Sequence, residues 1–388
     1  MSIRLAARAQ AIEPFHVMRI LAQARELEAQ GRSIIHMEIG EPDFPSPEPV
    51  IAAGRQALDN KLTHYTAANG LPELRQAIAD QYDLCSNLDA ARILVTPGSS
   101  GALQLVMAML LNSGDGIMLA DPGYPCNRHI ARLFTAEVQS IAVNESTDYQ
   151  LTAELVEKYW QKNTKVVLIA SPSNPTGTMI SYEQLSDIYH LLQEKGAALV
   201  VDEIYHGLVY GEKPDSALNI GDQVFVINSF SKYYGMTGWR VGWLVVPPDE
   251  FIEAANRLAQ NMYLAAPTLS QYAALAAIGQ EAKEELTRRR DVFHLRRDVL
   301  LPLVEAAGFT VRTKPTGAFY IYADCSEIAD DSMALCETLL HQAGVAITPG
   351  ADFGSYESNK YVRFSYANAI ENLQEGMMRI QRWINDNQ

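Results

Sequence analysis

The sequence predicts an α/β fold: a mostly parallel central sheet covered by helices, joined to a smaller α+β domain. Two observations carry that prediction. Short strand-like runs that are apolar at nearly every position alternate with helical segments, as in a sheet buried on both faces. Each run also ends on a cluster of turn and polar residues, the arrangement of strands whose carboxyl ends meet a ligand. The chain has 388 residues, 48% hydrophobic and 20% charged, which is ample for a large core without disulfides or structural metals. No internal repeat or low-complexity tract interrupts the alternation.

The elements follow in order. Arg19–Gln30 has a helix pattern and leads into Ser33–Met37. Arg92–Thr96 reads as a strand, followed by a Gly/Ser turn and the helix-like run GALQLVMAMLL. Gly116–Ala120, Val138–Val143 and Lys165–Ala170 are the next strands. A helix around Gln184–Glu194 precedes two more, Ala197–Val201 and Gln223–Asn228. Glu284–Ala307 reads as a long charged helix, and its arginine clusters (Arg288 to Arg290, and Arg296 with Arg297) read as a solvated face. Phe309–Arg312 and Ala318–Tyr322 are strand-like, then come a helix at Ser332–Ala343, a strand at Val362–Ser365 and a last helix at Ile370–Asn385. Residues 46–285 are expected to form one large α/β domain, and residues 1–45 and 286–388 a smaller one built from both chain ends.

The formal net charge is −15, from 31 basic and 46 acidic residues. Such a chain repels a phosphate backbone and an anionic bilayer, so neither nucleic acid nor membrane is an expected partner. Four cysteines, Cys85, Cys126, Cys325 and Cys336, contain no CxxC pair and suggest no metal or disulfide framework. The opening stretch Met1–Phe15 lacks the apolar core of a signal peptide. Arg4 and Arg8, with no acid before Glu13, fit a transit segment, but an N-terminal helix reads equally well. The expectation is a cytoplasmic, reducing setting and no bound metal.

The strand ends hold the chemistry. After Thr96 comes Pro97-Gly98-Ser99-Ser100-Gly101; after Ala120, Asp121-Pro122-Gly123-Tyr124; after Ala170, Ser171 to Gly177 with Asn174. After Val201 come Asp202-Glu203-Ile204-Tyr205, and after Asn228, Ser229-Phe230-Ser231-Lys232. Any one of these is compatible with ordinary turn chemistry; five on one sheet edge describe a pocket. Gly98, Ser99 and Ser100 at a helix start suit a phosphate, or a simple serine cap. Lys232 just past a buried strand is either a turn lysine or a desolvated one of lowered pKa, able to form a Schiff base. Asp202 ends an apolar strand and needs a cationic or hydrogen-bonding partner, or else caps a helix. Arg240 follows in Gly238-Trp239-Arg240-Val241-Gly242, where it can clamp a phosphate.

These motifs, in this order and separation, resemble the class I/II aminotransferases of fold type I, the pyridoxal-phosphate enzymes related to aspartate aminotransferase, and within them the gamma-like bacterial subgroup. The resemblance runs from about Pro14 to Ile384. It implies pyridoxal 5′-phosphate as cofactor, Lys232 as the lysine that carries it and shifts the proton, and Asp202 as partner of the pyridine nitrogen. It implies that Tyr205 and Asn174 bind the ring's phenolic oxygen and that Tyr124 stacks on the ring. Gly98, Ser99, Ser100, Ser229 and Arg240 would hold the phosphate, and Tyr65 would reach it from the second subunit of a homodimer. Arg363 would grip the substrate α-carboxylate, with Asn174 and the Gly40 backbone beside it. The implied reaction is ping-pong transfer of an amino group from an α-amino acid to a 2-oxo acid.

The substrate side chain is less legible. Where the gamma subgroup usually places a lysine for a second carboxylate, this chain has Ser100, and Asn261 to Pro267 contains no Lys or Arg. Phe15, His16, Met18 and Tyr263 suggest a pocket for neutral or aromatic side chains, or else an N-terminal segment packed on the core. The same cofactor chemistry would also serve a carbon–sulfur β-lyase. A non-catalytic regulator of this fold would carry a DNA-binding domain before the position of Gly40, which falls too early for one.

Overall fold

A computed structural model describes residues 3–82 and 88–387; Cys85 lies outside the described residues. The helices in chain order are α1 (Ala7–Gln10), α2 (His16–Ala29), α3 (Glu48–Asp59), α4 (Pro72–Ala79), α5 (Gly98–Leu110) and α6 (Pro125–Leu133). They continue with α7 (Ala153–Lys158), α8 (Tyr182–Lys195), α9 (Glu250–Met262), α10 (Thr268–Ile278), α11 (Gln280–Ala306), α12 (Ser332–Thr338) and α13 (Ile370–Asn387). Among the described residues, no helix is long and apolar enough to cross a membrane.

The strands are β1 (Ile35–His36), β2 (Ile93–Thr96), β3 (Gly116–Asp121), β4 (Glu137–Ala142), β5 (Thr164–Ala170) and β6 (Ala198–Asp202). After them come β7 (Val224–Ser229), β8 (Gly242–Val245), β9 (Tyr320–Asp324), β10 (Val345–Ala346), β11 (Thr348–Pro349) and β12 (Tyr361–Ser365). Seven of them form the central sheet in the order β2-β8-β7-β6-β5-β3-β4. Strands β4, β3, β5, β6 and β7 pair in parallel, whereas β8 runs antiparallel to both its neighbours. Alternate residues serve opposite faces. Ile93, Val95, Val167, Ile169, Leu199, Val201, Val224 and Val226 enter one core, and Leu94, Val166, Leu168, Val200, Phe225 and Ile227 the other. Both faces are dry, which is why these strands read as continuous apolar runs.

A third core draws on both chain ends. Ile20, Ala24 and Leu27 of α2 meet Leu300 and Val304 of α11, Phe364 of β12, and Met377 and Ile380 of α13. β1 pairs in parallel with β10, and β11, β12 and β9 make a small antiparallel sheet.

Four sequence readings change. Strand β8 was not anticipated: its four residues begin on Gly242, the last residue of the Arg240 motif, which masks them as part of the turn. Phe309–Arg312 forms no strand, only the bridge between Thr310 and Asp324. The helix expected at Ser332–Ala343 is α12 followed by a π-helical turn at Leu339–Ala343. The arginines of α11 are not uniformly solvated. Arg296 and Arg297 are buried. Arg296 binds both carboxylate oxygens of Asp43 at 2.7 and 2.8 Å and lies over Phe44 and Phe293. Arg297 donates to the Pro315 carbonyl. A long helix crossing between cores buries a wide arc, and aromatic faces with a paired carboxylate make arginine acceptable there.

Candidate active site

The carboxyl ends of β5, β6 and β7 open into a cleft closed on its other side by Phe15, Val17, Met18, Gly40, Tyr320 and Arg363. The strand-end residues arrive there because parallel strands of one sheet finish at one edge. Ser99, Ser100, Tyr124, Asn174, Asp202, Tyr205, Lys232, Arg240, Arg363, Gly40 and Phe15 all line it. Two residues expected in it, Gly98 and Ser229, do not, and Tyr65, expected to serve the cleft of a second subunit, lies elsewhere. Gly98 lies just behind Ser99. Ser229 is buried one layer back, donating to Ser231 at 2.9 Å and to the Val241 carbonyl at 3.2 Å. Tyr65 is 82% exposed and outside the cleft.

Two titratable groups at the cleft floor are displaced in opposite directions. Burial draws the Lys232 ammonium down to about 8, Arg363 and Arg240 adding to it while Glu41 and Asp202 oppose it. Its Nζ donates to the Gly40 carbonyl at 2.5 Å. Burial pushes the Asp202 carboxyl up to about 7, against the Ile204 N–H that donates to it at 3.1 Å and the charge of Lys232. Each charge is thus costly until a partner enters, the condition of groups arranged for chemistry rather than stability.

At one end sits a cradle of hydrogen-bond donors. Helix α5 begins after Pro97, so no side chain caps its first turn. Gly98 has φ +70°, and a Cβ there would lie 2.2 Å from Arg240 Nη2; glycine is needed for both backbone and space. Arg240 Nη1 donates to Ser231 at 3.3 Å and to the Thr237 carbonyl at 2.8 Å. Uncapped helix N–H groups, serine hydroxyls and a guanidinium converge on one spot, the donor set that suits a phosphate.

At the other end, Arg363 is buried between the rings of Tyr320 (4.3 Å) and Phe353 (4.8 Å). Nη1 donates to Asn174 Oδ1 at 2.9 Å, and Nη2 to the Glu38 carbonyl and to Thr348. Its Nε has no partner, an orphaned donor on a buried cation. Tyr205 and Tyr320 share a hydrogen bond at 2.8 Å, and burial raises both phenols. Phe15 meets Tyr124 edge-on, with 6.5 Å between ring centroids.

Sequence reasoning missed several residues of the cleft. Tyr320 sits in a strand-like run with no distinguishing spacing, yet its hydroxyl occupies the space a Gly40 Cβ would need, 2.3 Å away. Ser231 faces the cleft where Ser229 was expected; its place beside Lys232 was the available signal. Glu41 and Thr237, which are hydrogen-bonded to each other, carried none. His16 and Tyr263 do not line the cleft, whereas Met18 does.

The family model described as aminotransferase class I and II matches residues 32–380. A valine–pyruvate aminotransferase of Mycobacterium tuberculosis is 37% identical over 388 residues, 99% of both chains. A (5-formylfuran-3-yl)methyl phosphate transaminase of Methanocaldococcus jannaschii is 39% identical over 378 residues, covering 96% of this chain and 97% of that one. Among solved structures, an aminotransferase from Mycobacterium tuberculosis superposes with a TM-score of 0.95 at 36% identity, covering 99% of this chain and all of that one.

Proposed function

The chain belongs to the class I and II aminotransferases and is a transaminase, and from that premise we propose that its cleft binds pyridoxal 5′-phosphate and accepts a neutral or aromatic α-amino acid. The observation that carries this reading is the joining of three features in one cleft: a lysine drawn down to about 8, a carboxyl pushed up to about 7, and a buried arginine with an unpaired donor. When bound, pyridoxal phosphate supplies the electron sink that makes a substrate Cα proton acidic.

The chain's own residues do the rest. The first turn of α5, Ser99, Ser100, Ser231 and Arg240 would hold the phosphate, with Gly98 and Ser229 shaping the cradle. Asp202 would hold the pyridine nitrogen and keep it protonated, a cation that offsets the cost of the buried carboxylate. Tyr205 and Asn174 would bind the phenolic oxygen, and Tyr124 would cover the ring. Arg363 grips the α-carboxylate, its stacked guanidinium fixed before substrate arrives. Lys232, with a substantial neutral fraction at pH 8, binds the cofactor and carries the proton at Cα. The apolar surfaces of Phe15, Val17, Met18 and Ile39 line the cleft, which favours an uncharged substrate side chain.

Three further readings accompany this one. The two ends of the chain form a smaller domain beside the large one. The active unit is a homodimer in which Tyr65 completes the partner's phosphate site, and its setting is cytoplasmic. Exposed Leu58, Tyr65 and Leu264 support the dimer.

A half-reaction screen tests the function. Cofactor-loaded protein is mixed with single amino acids, and the visible band of the bound cofactor is followed together with oxo-acid release. Neutral and aromatic donors should convert the band. Fastest conversion by aspartate would overturn the substrate reading. Release of ammonia and pyruvate without an acceptor, or no conversion by any donor, would overturn the reaction.

A further inference from the structure

We propose that Asp352 is a positioning residue that sets side-chain selectivity by clamping the segment that carries Phe15, without touching the substrate itself. This rests on reading Arg363 as the carboxylate anchor of an amino-acid site. Helix α2 starts at His16, and the residue before it, Phe15, has no side chain able to cap it. The first-turn donors are satisfied from the far end of the sequence: His16 N–H donates to Asp352 Oδ1 at 2.7 Å and Val17 N–H to Oδ2 at 2.8 Å. Asp352 is 2% exposed, so both bonds are shielded from water and its charge faces the positive end of the helix dipole.

The turn bearing Asp352 is itself fixed on the site. Gly123 N–H donates to the Phe353 carbonyl at 2.8 Å, and Arg128 Nη2 to the Asp352 carbonyl at 2.8 Å. The Asp121 carboxylate accepts the Ser355 N–H at 2.9 Å. One short turn therefore places the Phe353 ring against Arg363, ties itself to the segment holding Tyr124, and holds Phe15 edge-on to Tyr124. The apolar wall of the cleft is thus set at a fixed distance from the carboxylate anchor. Releasing the clamp widens the wall's range of positions. A large apolar side chain, which depends on contact with that wall, loses more than a small one.

The test compares wild type with Asp352→Ala and Asp352→Asn, the latter keeping one acceptor, as cofactor-loaded enzymes. The readouts are kcat/KM for leucine, phenylalanine and alanine, and hydrogen exchange of the first-turn amides of α2. Asp352→Ala should lower kcat/KM for the two large donors about tenfold and for alanine less than about twofold. Asp352→Asn should recover part of the loss, and amide protection at residues 16–18 should fall in the same order. With Phe15→Ala as background, the Asp352→Ala effect on large donors should largely disappear. Equal losses for all donors, or unchanged amide protection, would overturn the clamp while leaving the amino-acid reading intact. A wild type that turns over none of the donors would overturn both.

Discussion

Lys232 and Asp202 define the residue scale because each is held where its charge is unwelcome. The sign of the consequence differs. Lys232 has a folded pKa of about 8 against an ordinary 10.5. Between those values the unfolded chain binds more protons, so this group makes stability rise with pH across that window. Asp202 has a folded pKa of about 7 against 3.8. Between those values the folded chain binds more protons, so stability falls as pH rises. At neutral pH both are liabilities in the cofactor-free protein. Lys232→Met, which keeps the stem and removes the charge, should stabilise the cofactor-free protein by roughly 1–3 kcal/mol at pH 7 and abolish transamination. It should also flatten the rise between pH 8 and 10.5 relative to wild type, as read by urea melts. The comparison with wild type matters because His36, raised to about 9 by its bond to Glu38, contributes the opposite trend: its stabilisation is full below 6.5 and is lost as pH rises through 9. A lower apoprotein melting temperature in Lys232→Met would contradict the assignment of Lys232 as a desolvated amine.

At the scale of elements, α11 shows how burial overrides composition. Its arginine-rich sequence suggests a solvent face, yet Arg296 is sandwiched by Phe44 and Phe293 and forked onto Asp43. Removing one partner strands the other charge in a poorly solvated place. Asp43→Ala should therefore destabilise the fold by about 2 kcal/mol, somewhat below the usual cost for a fully buried pair because Asp43 keeps partial solvent access. Equilibrium unfolding measures it, and Arg290→Ala, on the exposed part of the same cluster, should change little. No periodicity could reveal this, since a cation on an aromatic face looks in sequence like any surface cation. The central strands were legible for the opposite reason. A strand dry on both faces leaves an unbroken apolar run, so β2, β3, β5, β6 and β7 stand out, while β8, short and starting on the last residue of the Arg240 motif, does not. The site was legible where chemistry sits at strand ends, as with Asp202 and Lys232. It was not legible at Tyr320, whose importance comes from a contact with Gly40, far away in the sequence.

At the scale of the whole molecule, a chain of net charge −15 concentrates Lys232, Arg240 and Arg363 in one cleft, and the remaining question is whether one chain completes it. Tyr65 is 82% exposed and outside its own cleft. Its loop is nonetheless held firmly. Thr268 Oγ1 donates to the His64 carbonyl at 2.8 Å, and Gln271 Nε2 donates to Thr66 Oγ1 at 2.9 Å. A large aromatic ring presented to solvent on a fixed loop, beside a segment that also exposes Leu264, fits the proposal that a second copy of the chain covers it. If Tyr65 serves the neighbouring cleft, the two defects are separable. Tyr65→Ala should weaken phosphate anchoring and lose most activity at limiting cofactor, and Lys232→Ala should lose all of it. Mixing the two inactive chains and allowing subunits to exchange places both defects in one cleft of each hybrid dimer and leaves the other cleft intact. A one-to-one mixture should then recover about a quarter of wild-type activity, because half the dimers are hybrid and half their clefts are whole. If Tyr65 acted within its own chain, no cleft in the hybrid would be whole and the mixture would show nothing beyond the residue left by Tyr65→Ala alone.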